Sequence, residues 1–380
     1  MIRLKDGSFF NQNKCFEQGD VYISRSLNLI TAPSDQCEIM DCEGMFITPG
    51  FTDIHIHGAF GYDVSDGNTE ELVALAKRLP LFGVTSFVPT AMALSPPKIR
   101  NVARAVSESI SILSDSDDCY ADILGLRLEG PFLSSLRAGA QQKGNLITPS
   151  EGTGLIEELI DEYPGLIKII DVAPELEGAF EFAEHFANKG IVISMGHTDC
   201  DYGQASGFID KGAKSVTHMF NAMRPCSKRE PNLPGAAFDK GIFAELICDG
   251  IHVDKTVLRM AFKLFGDKVI TISDSMRAAG LGDGIFDLGG TEVRVTSGRA
   301  YVNNSNTLAG SVTDLDSEAV LLSGIGIDTG SIIASVTCAP NLLLGQKAPC
   351  VKPGNRADLL ILDKDLRLKQ VICKGHIIKI

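Results

Sequence analysis

The sequence predicts an α/β protein built on a (β/α)8 TIM barrel, and three observations lead to this fold. From residue 50 onward, short apolar strands alternate with amphipathic helices, which is typical of a parallel sheet with crossovers. Eight such strands follow one another. Both ends of the chain contain only short strand patterns, and each is too small to bury a core separately. We therefore expect residues 1–49 and 348–380 to form one small β domain beside a barrel of residues 50–347.

The predicted elements are short and fairly regularly spaced. The barrel strands are expected at residues 51–57, 84–90, 123–129, 166–172, 191–195, 215–217, 242–248 and 269–273. Helical periodicity occurs at 70–82, 97–113, 150–162, 178–188, 202–211 and 255–265. A Gly-rich, hairpin-like insert at 282–307 precedes helical stretches at 315–322 and 332–344, and the chain ends in strands at 357–362, 368–373 and 376–380.

Composition excludes several classes of function. A net charge of −13 disfavours a nucleic-acid-binding surface, which needs clustered Lys and Arg. No apolar run is long enough to span a bilayer, and the N-terminus has no export signal, so we expect a cytoplasmic protein without membrane contact. The 10 cysteines form no Cys-x-x-Cys pair, which favours reduced thiols over disulfides or a zinc cluster.

Two histidines mark the end of the first predicted barrel strand. Because strand side chains alternate with a period of two, His55 and His57 project from the same face and can hold one metal ion. Gly50 and Gly58 bound this strand and place the pair at its carboxyl end, where ligands bind in parallel α/β folds. The alternative is that both histidines are ordinary polar residues at a strand end.

Further polar side chains end other predicted strands. Glu129 ends the third strand, His197 follows the fifth, His218 the sixth and Asp274 the eighth. Each has a structural alternative, such as a buried, hydrogen-bonded carboxylate or a helix cap. In a barrel, however, all six side chains converge at one mouth. Their nitrogen and oxygen donors suit Zn²⁺ or Fe²⁺ and are poor ligands for Mg²⁺ or Ca²⁺.

The motifs around these residues form an ordered set that covers almost the whole chain. They are PGFTDIHIHG at 49–58, LEGPF at 128–132, GHTD at 196–199, THMFNAM at 217–223, CDGIH at 248–252 and LAGS at 308–311. The set resembles the N-acetylglucosamine-6-phosphate deacetylases of the amidohydrolase superfamily. The resemblance implies a distorted barrel, a small β-sandwich built from both termini, and a homodimer.

The resemblance also implies roles at the metal centre. Glu129, His197 and His218 match the family's main metal ligands. His55 and His57 match a second-metal pair that only some members keep, so one or two ions of zinc or iron are expected, with Glu129 as a possible bridge. Asp274 is expected to carry the proton between the attacking water and the leaving amine. The alternative is that Asp274 is only another ligand.

The expected substrate is an N-acetylhexosamine 6-phosphate, and Arg, with its bidentate fork, is suited to its phosphate. The resemblance assigns phosphate contacts to Asn221, Ala222, Arg229 and His252, with part of the set possible across a dimer interface. Without the resemblance, the charged side chains in the loop at 221–231 would be interpreted as a solvent-exposed run with no binding role. The remaining implied substrate contacts are Leu308 and Gln141, the latter where some members have a histidine.

Two alternatives to deacetylation of the glucosamine derivative stay open at this point. One is another amidohydrolase activity, such as deacetylation of the galactosamine epimer or cleavage of a cyclic amide. The other is a non-catalytic assembly protein on an amidohydrolase scaffold. Such a protein is expected to lose metal ligands, whereas the full set is present here.

Overall fold

The N-terminal strands form half of a small β unit. The computed structural model describes residues 1–34 and 37–378. The strand β1 pairs antiparallel with β2, with a register shift between Leu4 and Gly7, and in parallel with β4 through its first residues and with β5 through Ser8 and Phe9. The strands are β1 (Ile2–Phe10), β2 (Phe16–Ser24), β3 (Leu29–Thr31), β4 (Glu38–Asp41) and β5 (Phe46–Pro49).

The barrel strands come next, interrupted by three strands of two residues each. They are β6 (Phe51–Ile56), β7 (Gly58–Ala59), β8 (Tyr62–Asp63), β9 (Val84–Ala91), β10 (Asp122–Ile123), β11 (Leu126–Phe132), β12 (Ile167–Val172), β13 (Val192–Met195), β14 (Ala213–Val216), β15 (Phe243–Ile247) and β16 (Val269–Ile272). Apart from the two-residue strands β7, β8 and β10, these strands form the barrel. They pair in parallel in the order β6, β9, β11, β12, β13, β14, β15, β16.

Seven helices connect these strands. They are α1 (Thr69–Arg78), α2 (Pro96–Ser114), α3 (Pro149–Glu162), α4 (Ala179–Asn188), α5 (Tyr202–Asp210), α6 (Asn232–Lys240) and α7 (Lys255–Phe265). The helix α6 was not predicted, because Pro234 and Gly235 in its first turns hide its helical pattern.

The barrel closes at its mouth rather than along its whole length. The backbone N–H of Asp274, which follows β16, donates to the carbonyl oxygen of His55 at 2.9 Å. The N–H of His57 likewise donates to the carbonyl of Ser275 at 2.9 Å. These bonds join the first and last barrel strands beside the residues that the sequence places in the site.

The C-terminal part returns to the β unit. The insert is a three-stranded sheet of β17 (Gly284–Leu288), β18 (Thr291–Thr296) and β19 (Arg299–Val302). The helices α8 (Leu315–Gly324), α9 (Thr329–Val336) and α10 (Cys338–Leu343) follow, then β20 (Leu359–Leu362), β21 (Leu368–Cys373) and β22 (His376–Ile378). Residues 379 and 380 of the last predicted strand, and residues 35 and 36, lie outside the described ranges.

The two termini share one sheet and one core. Strand β20 runs antiparallel to β5, with Leu362 opposite Phe46. Ile2, Leu4 and Ile47 pack with Leu359 in one buried apolar cluster. The expected barrel with a small β unit from both termini is confirmed, while the domain boundaries at residues 49 and 348 stay a prediction.

The helices of the described residues do not meet the requirements for crossing a membrane. Within residues 1–34 and 37–378, none of the helices combines the length and the apolar character that crossing a bilayer requires.

Two glycines of helix α3 give a matched test of the packing beneath the site. A methyl group on Gly152 would lie 2.1 Å from Cε1 of Phe132, which is fully buried three residues after Glu129. A methyl group on the exposed Gly154 meets nothing within 4 Å. We expect Gly152→Ala to lower the free energy of unfolding by about 1–3 kcal/mol through overpacking. Gly154→Ala is expected to raise it by about 0.5–1 kcal/mol.

Chemical denaturation of the two variants and the parent protein measures both effects. The same shift in both variants would contradict this account of the packing around Phe132.

Candidate active site

The six polar residues predicted at strand ends meet at the barrel mouth. They are buried, and they divide into two groups in which the possible ligand atoms lie within 4.8 Å of one another. The first group is Glu129, His197 and His218, and the second is His55, His57 and Asp274.

The Glu129 carboxylate lies at the centre of all four imidazoles. Its Oε1 is 3.1 Å from Nε2 of His197 and 3.0 Å from Nε2 of His218. The same oxygen is 3.4 Å from Nε2 of His55, and Oε2 is 3.2 Å from Nε2 of His57. Glu129 therefore touches both groups and is placed to bridge them.

Asp274 faces the second group. Its Oδ1 is 3.1 Å from Nε2 of His57 and 3.4 Å from Nε2 of His55. Asp274 also lines the cavity above the site, so its carboxylate can reach both the histidine pair and a bound substrate.

The outer ring nitrogens of His57 and His197 are held so that Nε2 faces inward. Nδ1 of His57 is 3.0 Å from the carbonyl oxygen of Thr90, and Nδ1 of His197 is 2.8 Å from that of Arg137. A carbonyl can only accept, so Nδ1 carries a hydrogen and Nε2 is the ring atom left to bind a metal. This is the usual arrangement of a metal-binding histidine. Together with the buried carboxylates, it shows that the residues present fit a divalent transition metal.

The electrostatics of the site favour a cation. Burial alone raises the pKa of Glu129, but the surrounding histidines hold it well below its usual value. Burial lowers the pKa of His57 and His218, yet the carboxylates of Glu129 and Asp274 raise the pKa of His218 to about 9 and that of His57 well above its usual value. Without a metal, the imidazoles of His57 and His218 hold protons beside the ionised Glu129, and metal binding displaces those protons.

Three site residues adopt a left-handed backbone conformation. The φ angles are 46° for His197, 30° for His218 and 47° for Asp274. Such a conformation costs a non-glycine residue about 1–3 kcal/mol and is found where function requires it. Backbone bonds hold each one, as in the 2.8 Å bond from the N–H of Ser311 to the carbonyl of Asp274.

A cavity of about 520 Å³ opens above the two groups. Five of the six predicted substrate contacts line it, namely Gln141, Asn221, Ala222, His252 and Leu308. The sixth, Arg229, is exposed in a turn outside the cavity, so the structure does not bring it to the site.

Gln141 has a fixed orientation beside Glu129. Its Oε1 accepts from the backbone N–H of Ala93 at 2.7 Å, and its Nε2 donates to Oε2 of Glu129 at 2.6 Å. The amide therefore holds the central carboxylate in place. We interpret it as a support for Glu129 as well as part of the cavity wall.

Sequence reasoning missed two cations in the cavity wall. Arg137 and Lys143 lie on either side of Gln141 in the chain and line the cavity with it. Arg137 is paired with Asp199, which also binds Arg224 at 2.7 Å. Their position in the same loop as Gln141 was the signal available in the sequence.

Sequence reasoning also missed a charged layer beneath the two groups of candidate ligands. Arg127, two residues before Glu129 on the same strand face, is 0% exposed and donates to Asp171 through both Nε and Nη2. Its Nη1 donates to Glu245 at 2.9 Å. Burial raises the pKa of Glu245 to about 7, and Arg127 opposes this rise. Charged residues inside apolar strands were the signal for this layer.

Comparisons with known proteins agree with this geometry. The model of the amidohydrolase family matches residues 46–378. The chain is 35% identical to the N-acetylglucosamine-6-phosphate deacetylase of Bacillus subtilis (strain 168), and the match covers 99% of this chain and 96% of that enzyme.

Two solved structures of N-acetyl-D-glucosamine-6-phosphate deacetylase from Mycobacterium smegmatis are also similar. The first matches with a TM-score of 0.90 and 28% identity over 100% of both chains. The second, a mutant in complex with N-acetyl-D-glucosamine-6-phosphate, matches with a TM-score of 0.88 and 28% identity over 99% of this chain and 98% of that one. With these matches and the ligand groups at the barrel mouth, the chain belongs to the amidohydrolase family, and within it to the N-acetylglucosamine-6-phosphate deacetylases.

Proposed function

We propose that this protein is a metal-dependent hydrolase that converts N-acetylglucosamine 6-phosphate and water into glucosamine 6-phosphate and acetate. The observation that carries this proposal is the pair of candidate ligand groups at the floor of the cavity, where Glu129 of the first group also contacts His55 and His57 of the second. A non-catalytic scaffold would have no reason to keep both groups and Asp274 buried together. The relatives named for this reaction support the choice of substrate.

The proposed cofactor is Zn²⁺ or Fe²⁺, with one or two ions per subunit. Glu129, His197 and His218 would hold the first ion, and His55 and His57 the second, with Glu129 shared. The presence of two donor groups supports two ions. A bound divalent ion polarises the amide carbonyl and lowers the pKa of a coordinated water to about 7.

Asp274 is proposed to move the proton. Its carboxylate accepts a proton from the attacking water and then donates it to the amide nitrogen as the C–N bond breaks. The acetyl group leaves as acetate, and the sugar keeps a free amine. The backbone bonds to His55 and Ser311 on either side of Asp274 fix its position for this role.

Phosphate binding is proposed to require a second copy of the chain. Arg229 lies outside the cavity of its own subunit, whereas His252 lines both this cavity and an adjacent apolar groove of about 670 Å³. Phe238, Met260 and Leu264 are exposed at this groove. A partner subunit that covers these side chains could bring its own Arg229 to the phosphate, which supports the proposed homodimer.

The reaction is tested by free-amine release from three sugars. We expect fast release by metal-replete protein from N-acetylglucosamine 6-phosphate. The galactosamine epimer and unphosphorylated N-acetylglucosamine are expected to react far more slowly, because one hydroxyl of the epimer points in a different direction and the unphosphorylated sugar lacks the phosphate. Equal rates on the phosphorylated and unphosphorylated sugars would contradict the phosphate assignment, and no release from any of them would contradict the proposed reaction.

The proton-carrier role is tested by Asp274→Asn. The amide cannot accept the proton, so kcat is expected to fall by about 100- to 10,000-fold. Metal content is measured on the same preparation to separate loss of the proton carrier from loss of an ion. Turnover within a few fold of the parent protein would show that Asp274 is not the proton carrier.

The phosphate role is tested by Arg229→Ala. Loss of a charge-assisted bond worth about 1.5–3 kcal/mol is expected to raise KM for the phosphorylated sugar by about 10- to 100-fold, with a smaller change in kcat. Arg104→Ala is the control, since Arg104 is an exposed arginine paired with Glu108 on helix α2. Light scattering determines whether the variant is still a dimer. An unchanged KM in a dimeric variant would rule out the phosphate contact.

A further inference from the structure

Glu245 lies between the charged layer and the metal ligand His55. One of its oxygens, Oε1, accepts from Nη1 of Arg127 at 2.9 Å. The other, Oε2, is 3.4 Å from Nδ1 of His55. Among the described residues, this imidazole is the only side chain within hydrogen-bonding distance of Oε2. All three side chains are 0% exposed, so water does not compete for these bonds.

The position of Arg127 fixes which way Glu245 points. The guanidinium is clamped by two bonds to Asp171, and its Nη1 also donates to the carbonyl oxygen of Ile54 at 3.1 Å, one residue before His55. Glu245 is therefore held by an anchor that is itself attached to the backbone of the first barrel strand. The other oxygen of Glu245, Oε2, therefore points toward Nδ1 of the His55 ring.

We propose that Glu245 is a positioning residue that fixes the tautomer of His55, so that Nδ1 carries the hydrogen and Nε2 presents its lone pair to the second metal position. The guanidinium of Arg127, paired with Oε1 at 2.9 Å, favours the ionised form of Glu245. An ionised carboxylate can only accept a hydrogen bond, which requires N–H at Nδ1. Backbone carbonyls do the same for His57 and His197. His55 is the site histidine that depends on a side chain for this purpose. The inference rests on the proposed metal centre.

Glu245→Gln isolates this effect. The glutamine has nearly the same shape, and its Oε1 can still accept from Arg127. Its NH₂ group then faces Nδ1 of His55 and donates to it, which moves the ring hydrogen to Nε2 and blocks that atom as a ligand. Outer partners of this kind typically contribute about 10- to 100-fold in metal affinity. We expect a loss of that size for the second ion, while the ion at His197 and His218 stays.

Asp171→Asn is the matched control. It removes the same charge from the same buried layer, and Asp171 contacts none of the four site imidazoles. The asparagine oxygen can still accept from Nη2 of Arg127, and the bond from Nη1 to the carbonyl of Ile54 is unchanged, so Arg127 stays in place to hold Glu245. Metal per subunit is measured by elemental analysis after dialysis against graded free Zn²⁺. The Glu245→Gln and His55→Ala proteins should each hold one ion per subunit. The parent and Asp171→Asn proteins should hold two. Equal loss of the second ion in both layer variants would overturn the proposal, since a general effect of the layer would then explain it.

The tautomer itself is read in the parent protein, which keeps the proposal testable if Glu245→Gln does not fold. Long-range ¹H–¹⁵N spectra of ¹⁵N-histidine-labelled, zinc-loaded protein contain signals from only 7 histidines, and the His55→Ala variant assigns the one of interest. Hydrogen on Nδ1 of His55 is the expected result, and hydrogen on Nε2 would overturn the proposal. A parent protein with one ion that still shows the Nδ1 hydrogen would contradict the two-ion centre while supporting the role of Glu245.

Discussion

The site depends on one buried carboxylate that is shared by four imidazoles. Glu129 has a histidine Nε2 within 3.0–3.4 Å on several sides of its two oxygens. Bringing so many polar groups out of water costs stability unless each one is paired. A divalent cation between these donors would satisfy them together. The geometry of the mouth, including the left-handed backbone at three site residues, is consistent with this single requirement.

The layer beneath the ligands explains how the fold supports such a site. Arg127 connects the third, fourth and seventh barrel strands through Asp171 and Glu245, and it reaches the first through the carbonyl of Ile54. These bonds are fully buried, so each constrains the strand that carries it. The ligands above therefore lie on a rigid base, whereas the cavity walls come from loops and from the insert that carries Leu288.

The sequence predicted the barrel and the strand-end residues because both follow from local patterns. Apolar alternation locates a strand, and the polar residue after it must lie at the barrel mouth. The charged layer could not be predicted in the same way, since Arg127 and Glu245 are 118 positions apart and meet only when the barrel closes. The helix α6 was missed because its proline and glycine oppose helical propensity. Arg229 was assigned to the phosphate through the resemblance alone, and the loop that carries it leaves it exposed outside the cavity.

The most direct test of the account is to locate the metal by anomalous X-ray diffraction at the zinc and iron absorption edges, using crystals of protein with measured deacetylase activity. We expect two peaks about 3.5–4 Å apart, one beside His197 and His218 and one beside His55 and His57, with Glu129 in contact with both. An active protein in which no transition metal contacts Glu129 would contradict the central claim.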